Sequence, residues 1–205
     1  MRTITLLLLV LVLISVANTM NFQPDGTVGK DAFTDSSYPA TNYGGNVDLF
    51  FGADVYGRTA SFIEFTELNE SYYQGATVNA AFLYVYCYNR GGSGQYLIGP
   101  CNAAWNEDTI TWNTMVGVHE TNPPSYPSGT GWIMYGVSGW VQNWLDGTWD
   151  NNGFAIFDND GSDQWVWLHS SDYTTDPSMR PELYLDFTPA SAVEKTTWGE
   201  IKAGI

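Results

Sequence analysis

Basic side chains are scarce in this chain. Seven Lys and Arg stand against twenty-two Asp and Glu, a formal charge of −15, and charged residues of both signs make up only 14% of the 205. Such a balance excludes nucleic acid and anionic membranes as partners, because both repel an acidic surface. Acidic polysaccharides are equally poor ligands unless a metal ion bridges them. Histidine is scarcer still: His119 and His169 are the two, and neither has a nucleophile motif beside it. Gly-x-Ser-x-Gly, His-Glu-x-x-His and the phosphate loop are all missing. Glycoside cleavage needs two carboxylates at a set separation, and the spacing of the acids singles out no pair. The expectation is therefore a protein that is not an enzyme.

Cysteine is also sparse. Cys87 and Cys101, with two distant histidines, are too few for a zinc site. In an oxidising compartment an even pair often bridges. Both lie in predicted strands joined by the Gly-rich turn Asn89–Gly94, so a cross-strand disulfide is the expectation, with two buried thiols as the alternative. Long apolar runs are limited to one. Ile4–Val16 is apolar apart from Thr5 and Ser15, follows Arg2, and spans thirteen residues. A membrane-spanning helix needs about 20, and Ser15-Val16-Ala17 is a small-x-small cleavage pattern, so residues 1–17 read as a secretory signal peptide. The mature protein is then extracellular or at the cell surface, with no membrane insertion after cleavage.

What the chain has instead is aromatic and small polar residues. Aromatics reach 16%, with nine Trp and thirteen Tyr, beside twenty-one Gly. In Ala81–Tyr88, odd positions carry Ala, Leu, Val and Cys while even positions carry Phe and three Tyr. A strand sends these two sets to opposite faces, with the aliphatic set in the core. Trp165–His169 repeats the pattern, with Val166 and Leu168 inward and Trp165, Trp167 and His169 outward. Further strands are predicted at 29–34, 47–51, 58–66, 95–103, 132–137, 152–158 and 181–187, separated by Gly- and Asn-rich turns. Many short strands of this kind make a β-sandwich or barrel. One short helix, capped by Ser138 and ended at Gly147, packs Trp140, Val141, Trp144 and Leu145 on the core. Residues 113–131 form the longest loop. After a linker at Pro189–Ala192, Trp198, Ile201 and Ile205 suggest a short amphipathic helix. The domain reading is signal 1–17, sandwich 18–188, and linker with tail 189–205.

Seven segments in order carry a family resemblance. They are Ser36–Gly44, Arg58–Phe65, Gly75–Val78, Trp105–Asn113, Val141–Gly147 with Asn151–Ile156, Leu168–Tyr173, and Pro181–Leu183. Over roughly residues 28–188 the chain resembles the DNRLRE domains, extracellular β-sandwiches that include a carbohydrate-binding module family. The hexapeptide that names the group is absent. The resemblance implies an all-β, jelly-roll-like antiparallel β-sandwich with one short helix, serving as a non-catalytic binding or adhesive module. The sugar binders of that group resemble alginate binders that use basic side chains. This chain has few, which favours a neutral glycan. In Trp105–Asn113, Trp105, Ile110 and Trp112 are expected to anchor a crossing strand, with Glu107 and Thr109 satisfying local backbone groups.

The outward rings are the main functional lead. Sugars stack their C–H faces on aromatic rings while nearby amides and carboxylates read the hydroxyls. Tyr84, Tyr86, Tyr88, Trp165 and Trp167 could form such a platform, or lie covered by the long loop or tail as a second core. No cofactor is required. A structural calcium is expected, if anywhere, at Asp158, Asp160 and Asp163 around Gly161, with Asp31 or Asp35 as a weaker site. Asn69-Glu70-Ser71 is an N-glycosylation acceptor sequence in a surface loop. The expected partner is an extracellular polysaccharide. The alternative is neighbouring copies of the chain, in a filament or surface layer assembled through the tail.

Overall fold

Alternating burial in Thr77–Gly92 organises the whole molecule. In the computed structural model, which describes residues 16–190 except 124, 126–128, 160 and 162, this segment is a 16-residue strand, β5. Ala81, Leu83, Val85 and Cys87 are buried, and the intervening Phe82, Tyr84, Tyr86 and Tyr88 are half-buried on the other face. The other strands are β1 (Asn18–Phe22), β2 (Lys30–Asp35), β3 (Asp48–Ala53), β4 (Arg58–Glu64), β6 (Tyr96–Pro100), β7 (Gly131–Gly136), β8 (Phe154–Asp158), β9 (Gln164–His169) and β10 (Glu182–Thr188). Their pairings are all antiparallel, in the order β1-β10-β5-β9-β3-β4-β8-β6, with β7 also on β5 and β2 also on β4. The expected all-β sandwich is the observed fold.

The sheet curls over itself where β3 and β4 pair at only two positions, Gly52↔Thr59 and Ala53↔Arg58. The main core is enclosed between the two halves. Leu49, Phe51, Leu83, Val85, Val166 and Leu168 come from the β10-β5-β9-β3 half, and Ile63, Ile98, Phe154 and Ile156 from the β4-β8-β6 half. Burying each of these large side chains contributes about 1.5–3 kcal/mol relative to leaving it in water.

The β2-β4-β8 half has a second covered face. Trp105, Ile110, Val116 and Val118, from the connection between β6 and β7, pack on Ala32, Ala60, Phe62, Ala155 and Phe157. This connection is turns rather than the crossing strand expected at Trp105–Asn113. Trp105 Nε1 donates to the Asn152 carbonyl at 2.9 Å, while Trp112 is only half-buried. Asn42 Nδ2 donates to the Glu107 and Ile110 carbonyls. A Cβ at Gly44 would meet the Glu107 carbonyl oxygen at 2.2 Å, so glycine is required for that approach. Two of the motif segments are thus two sides of one contact.

The helix α1 (Ser138–Leu145) buries Trp140, Val141, Trp144 and Leu145 as expected. Ser138 does not cap it. Its hydroxyl accepts from the Ala81 N–H on β5, and Val137 occupies the cap position. The strand β1 has no counterpart in the sequence reading, because only Phe22 of it is buried; its pairing with β10 makes it a strand. The expected signal peptide except its last two residues, and the predicted tail helix, lie outside the described residues. Among the described residues, no helix is long and apolar enough to cross a membrane.

Candidate functional site

The outward side chains of β5, β7 and β9 meet because register puts them side by side. Tyr86 lies opposite Trp132 of β7 and Asn89 opposite Trp167 of β9. A bulge between Cys87 and Asn89 keeps Cys87 inward and turns Tyr88 outward beside Trp167. The result is a continuous aromatic strip: Tyr84 and Tyr86 contact Trp132, Tyr88 contacts Trp167, and Trp167 contacts Trp165 and Phe50, with centroids 4.8 to 6.4 Å apart. All five aromatic residues expected to form a platform therefore belong to one surface. Val116 and Val118 of the long loop that could have covered them pack on the other half of the sandwich, and the tail lies outside the described residues.

They do not form one flat platform. Tyr86 and Tyr88 stack on His169 with interplanar angles of 5° and 9°, and Tyr173 stacks on it at 3.6 Å. These rings spend faces on one another around His169. Burial holds the His169 imidazole below its ordinary pKa, against the pull of Asp48, whose Oδ1 lies 3.7 Å from Nδ1. Burial likewise pushes the Tyr88 phenol well above its ordinary range, with Asp48 adding to the shift. The available ring surface is on the indoles. Trp132 is 47% exposed and Trp167 37% exposed. Trp165 lies against the backbone of Gly91, where a Cβ would stand 2.5 Å from its Cε2 and Cζ2. Trp132 was missed by the sequence reading, although Trp132-Ile133-Met134-Tyr135 alternates like β5: Ile133 and Tyr135 are buried, and Trp132 and Met134 exposed.

One end of the strip opens into a cleft of about 280 Å³ between β9 and the turns at 35–37 and 54–57. Trp165, Trp167, Phe50 and Tyr56 supply its apolar wall, and Asp35, Asp54, Thr59 and Gln164 its polar groups. Asp54 Oδ1 is engaged by the Tyr56 and Gly57 N–H groups, and Asp35 Oδ1 by Ser37 N–H. Gln164 is buried, its Nε2 donates to the Gln95 carbonyl, and its Oε1 has no partner. Buried acceptors are normally satisfied, so Gln164 Oε1 is an exception at the floor of the cleft. Rings with exposed faces, flanked by oxygen acceptors and with little cationic charge, suit a neutral polyhydroxylated ligand.

Three other expectations turn out differently or stand apart. Cys87 and Cys101 are free, not bridged. Their strands are not neighbours, since β5 pairs with β7, β9 and β10 while β6 pairs with β8, and the two thiols sit in separate clusters. Burial pushes the Cys101 thiol up to about 12. In the calcium candidate, Asp158 is buried and engaged: Arg58 Nε and Nη2 each donate to it at 2.7 Å, and Gly161 N–H adds a third bond. Its carboxylate already has a cation. Asp163 is exposed, and Asp160 lies outside the described residues. Asn69 is exposed at the end of a 3-10 turn, Thr66–Asn69, remote in sequence from the aromatic strip.

Compared with known families, residues 24–197 match the model of carbohydrate-binding module family 96. A search of curated proteins found no match.

Proposed function

Because the chain belongs to carbohydrate-binding module family 96, we propose that it binds a neutral polysaccharide on the outer aromatic face, with Trp132, Trp165 and Trp167 as stacking surfaces. The observation that carries this reading is the strip of rings running into the cleft beside Gln164, with Trp132 and Trp167 exposed among the described residues. A net charge of −15 argues against acidic chains such as alginate. The role is binding rather than catalysis. The seven ordered segments favour the DNRLRE type of sandwich within this relationship, and the first seventeen residues favour export to the extracellular space.

Affinity electrophoresis through gels containing soluble neutral polysaccharides, with alginate and polygalacturonate gels beside them, tests the proposal. Trp167 exposes 37% of its surface, about 90 Å² of a ring system of up to ~250 Å². Covering roughly half of that by a sugar contributes about 1 kcal/mol at ~25 cal/mol per Å², so Trp167→Ala is expected to weaken binding about 5- to 10-fold. Retardation only by acidic polymers, or neutral-polymer binding indifferent to both Trp132→Ala and Trp167→Ala, would remove this reading.

A further inference from the structure

Three carboxylates from distant parts of the chain converge. Oxygens of Asp31, Glu107 and Asp172 lie within 4.8 Å of one another. Asp31 is the second residue of β2, Glu107 comes from the connection that covers β2-β4-β8, and Asp172 from the segment after β9. The approach is enforced by the backbone. A Cβ on Gly26 would stand 1.9 Å from Asp172 Oδ1, and one on Gly29 2.5 Å from Ser171 Cβ.

These acids have few internal partners. Asp31 is 2% exposed; its Oδ2 accepts from the Ser171 N–H at 2.7 Å, and its Oδ1 has no partner at all. Glu107 Oε1 accepts only from the Asp31 N–H, at 3.2 Å. Among the described residues, no Lys or Arg donates to any of the three. Lys30 is paired with Glu64, and Arg180 Nε donates to the Tyr173 carbonyl. Three acidic side chains thus meet around a buried carboxylate to which no Lys or Arg is bonded among the described residues.

We propose that Asp31, Glu107 and Asp172 form a calcium site that ties β2 to the two long connections. Oxygens bound to calcium at 2.3–2.6 Å lie at most about 5 Å apart, which suits the observed spacing. The all-oxygen donor set excludes a zinc preference. Three protein carboxylates from separate segments disfavour magnesium, which keeps much of its hydration and demands near-ideal octahedral geometry. The bound ion would take Asp31 Oδ1 as a ligand and offset two of the three carboxylate charges. It is a structural ion, independent of the sugar-binding face.

The test is calcium binding by the full chain without leader, stripped with chelator and with no polysaccharide present. Calorimetric titration with CaCl2 is expected to give one site per chain. A hundredfold excess over Kd should raise Tm by about 5–10 °C, and MgCl2 should do much less. Asp31→Asn keeps an acceptor for the Ser171 N–H but removes a charge, so two opposite effects are expected: a higher Tm in chelator and loss of the calcium response. Asp172→Asn, at the half-buried rim, should lose the response without endangering the fold. Asp163→Asn should keep it. The proposal is overturned if the stripped wild-type protein shows no calcium-dependent shift, if magnesium gives an equal one, or if Asp172→Asn responds like wild type. Loss of the response in Asp163→Asn would also overturn it.

Discussion

Replacing Gly91 by Ala perturbs the candidate site without replacing any of its aromatic residues. The added Cβ would stand 2.5 Å from Trp165 Cε2 and Cζ2, whereas carbon atoms in contact rest about 3.5–4.0 Å apart. The indole therefore has to withdraw by roughly 1 Å. Overpacking of this size costs about 1–3 kcal/mol. The half-buried Trp165 has water on one side and can tilt, which puts the cost at the low end, about 1–2 kcal/mol. Removing a glycine from the unfolded chain offsets about 0.4–1 kcal/mol of it. The net expectation is a loss of about 0.5–1 kcal/mol, or a Tm lower by about 1–4 °C for a domain of this size. Thermal unfolding of wild type, Gly91→Ala, Trp165→Ala and the double variant closes a cycle. With the indole gone, Gly91→Ala is expected to change sign and stabilise the protein, giving a coupling of about 1–2 kcal/mol. An equal penalty for Gly91→Ala in both backgrounds would refute the placement of Trp165 on the strand.

Further outcomes follow from the charged and titratable groups. Arg58→Met leaves buried Asp158 with one backbone donor in place of three bonds; with Arg58 itself half-exposed, the loss is expected near 2 kcal/mol rather than the 3–5 of a fully buried pair, measured by urea unfolding. His169 has a folded pKa below its ordinary 6.5, so the unfolded chain takes up a proton first as pH falls. Stability from this group is complete above about 6.5 and declines below it; His169→Gln is expected to flatten that part of the stability profile, and an unchanged slope would contradict the assignment. Both thiols are expected to resist alkylation in the native state and to appear in full after denaturation without reductant, as counted by mass spectrometry; a single oxidised pair would count against the separate clusters of Cys87 and Cys101.

The strands that were legible in the sequence are those where alternation and burial coincide. Ala81–Tyr88 and Trp165–His169 announce both their conformation and their faces, because one side meets the core and the other meets water. β1 was illegible since only Phe22 is buried, and an edge strand held by backbone pairing leaves no pattern. The disulfide expectation failed on topology. Nearness of Cys87 and Cys101 in sequence implies a hairpin, but the chain crosses to the other half of the sandwich between them. Trp132 was within reach: its strand was predicted at 132–137, but its outward face was not assigned. The acidic cluster was not legible. Asp31, Glu107 and Asp172 share no local spacing, and only the docking of two connections on β2 brings them together.

The pairing of β1 with β10 joins residues 18–22 to residues 183–187, almost the full span of the sandwich. β10 in turn fills the edge of β5 along its first half. A growing or emerging chain that lacks its last strand leaves both β1 and that edge of β5 without hydrogen-bond partners, and an open edge of this kind invites pairing with another chain. Closure by such remote contacts is slow to find. The sandwich can be completed only once the whole polypeptide is available, so the interval between synthesis and β10 docking is when this protein most needs to be kept apart from its own copies.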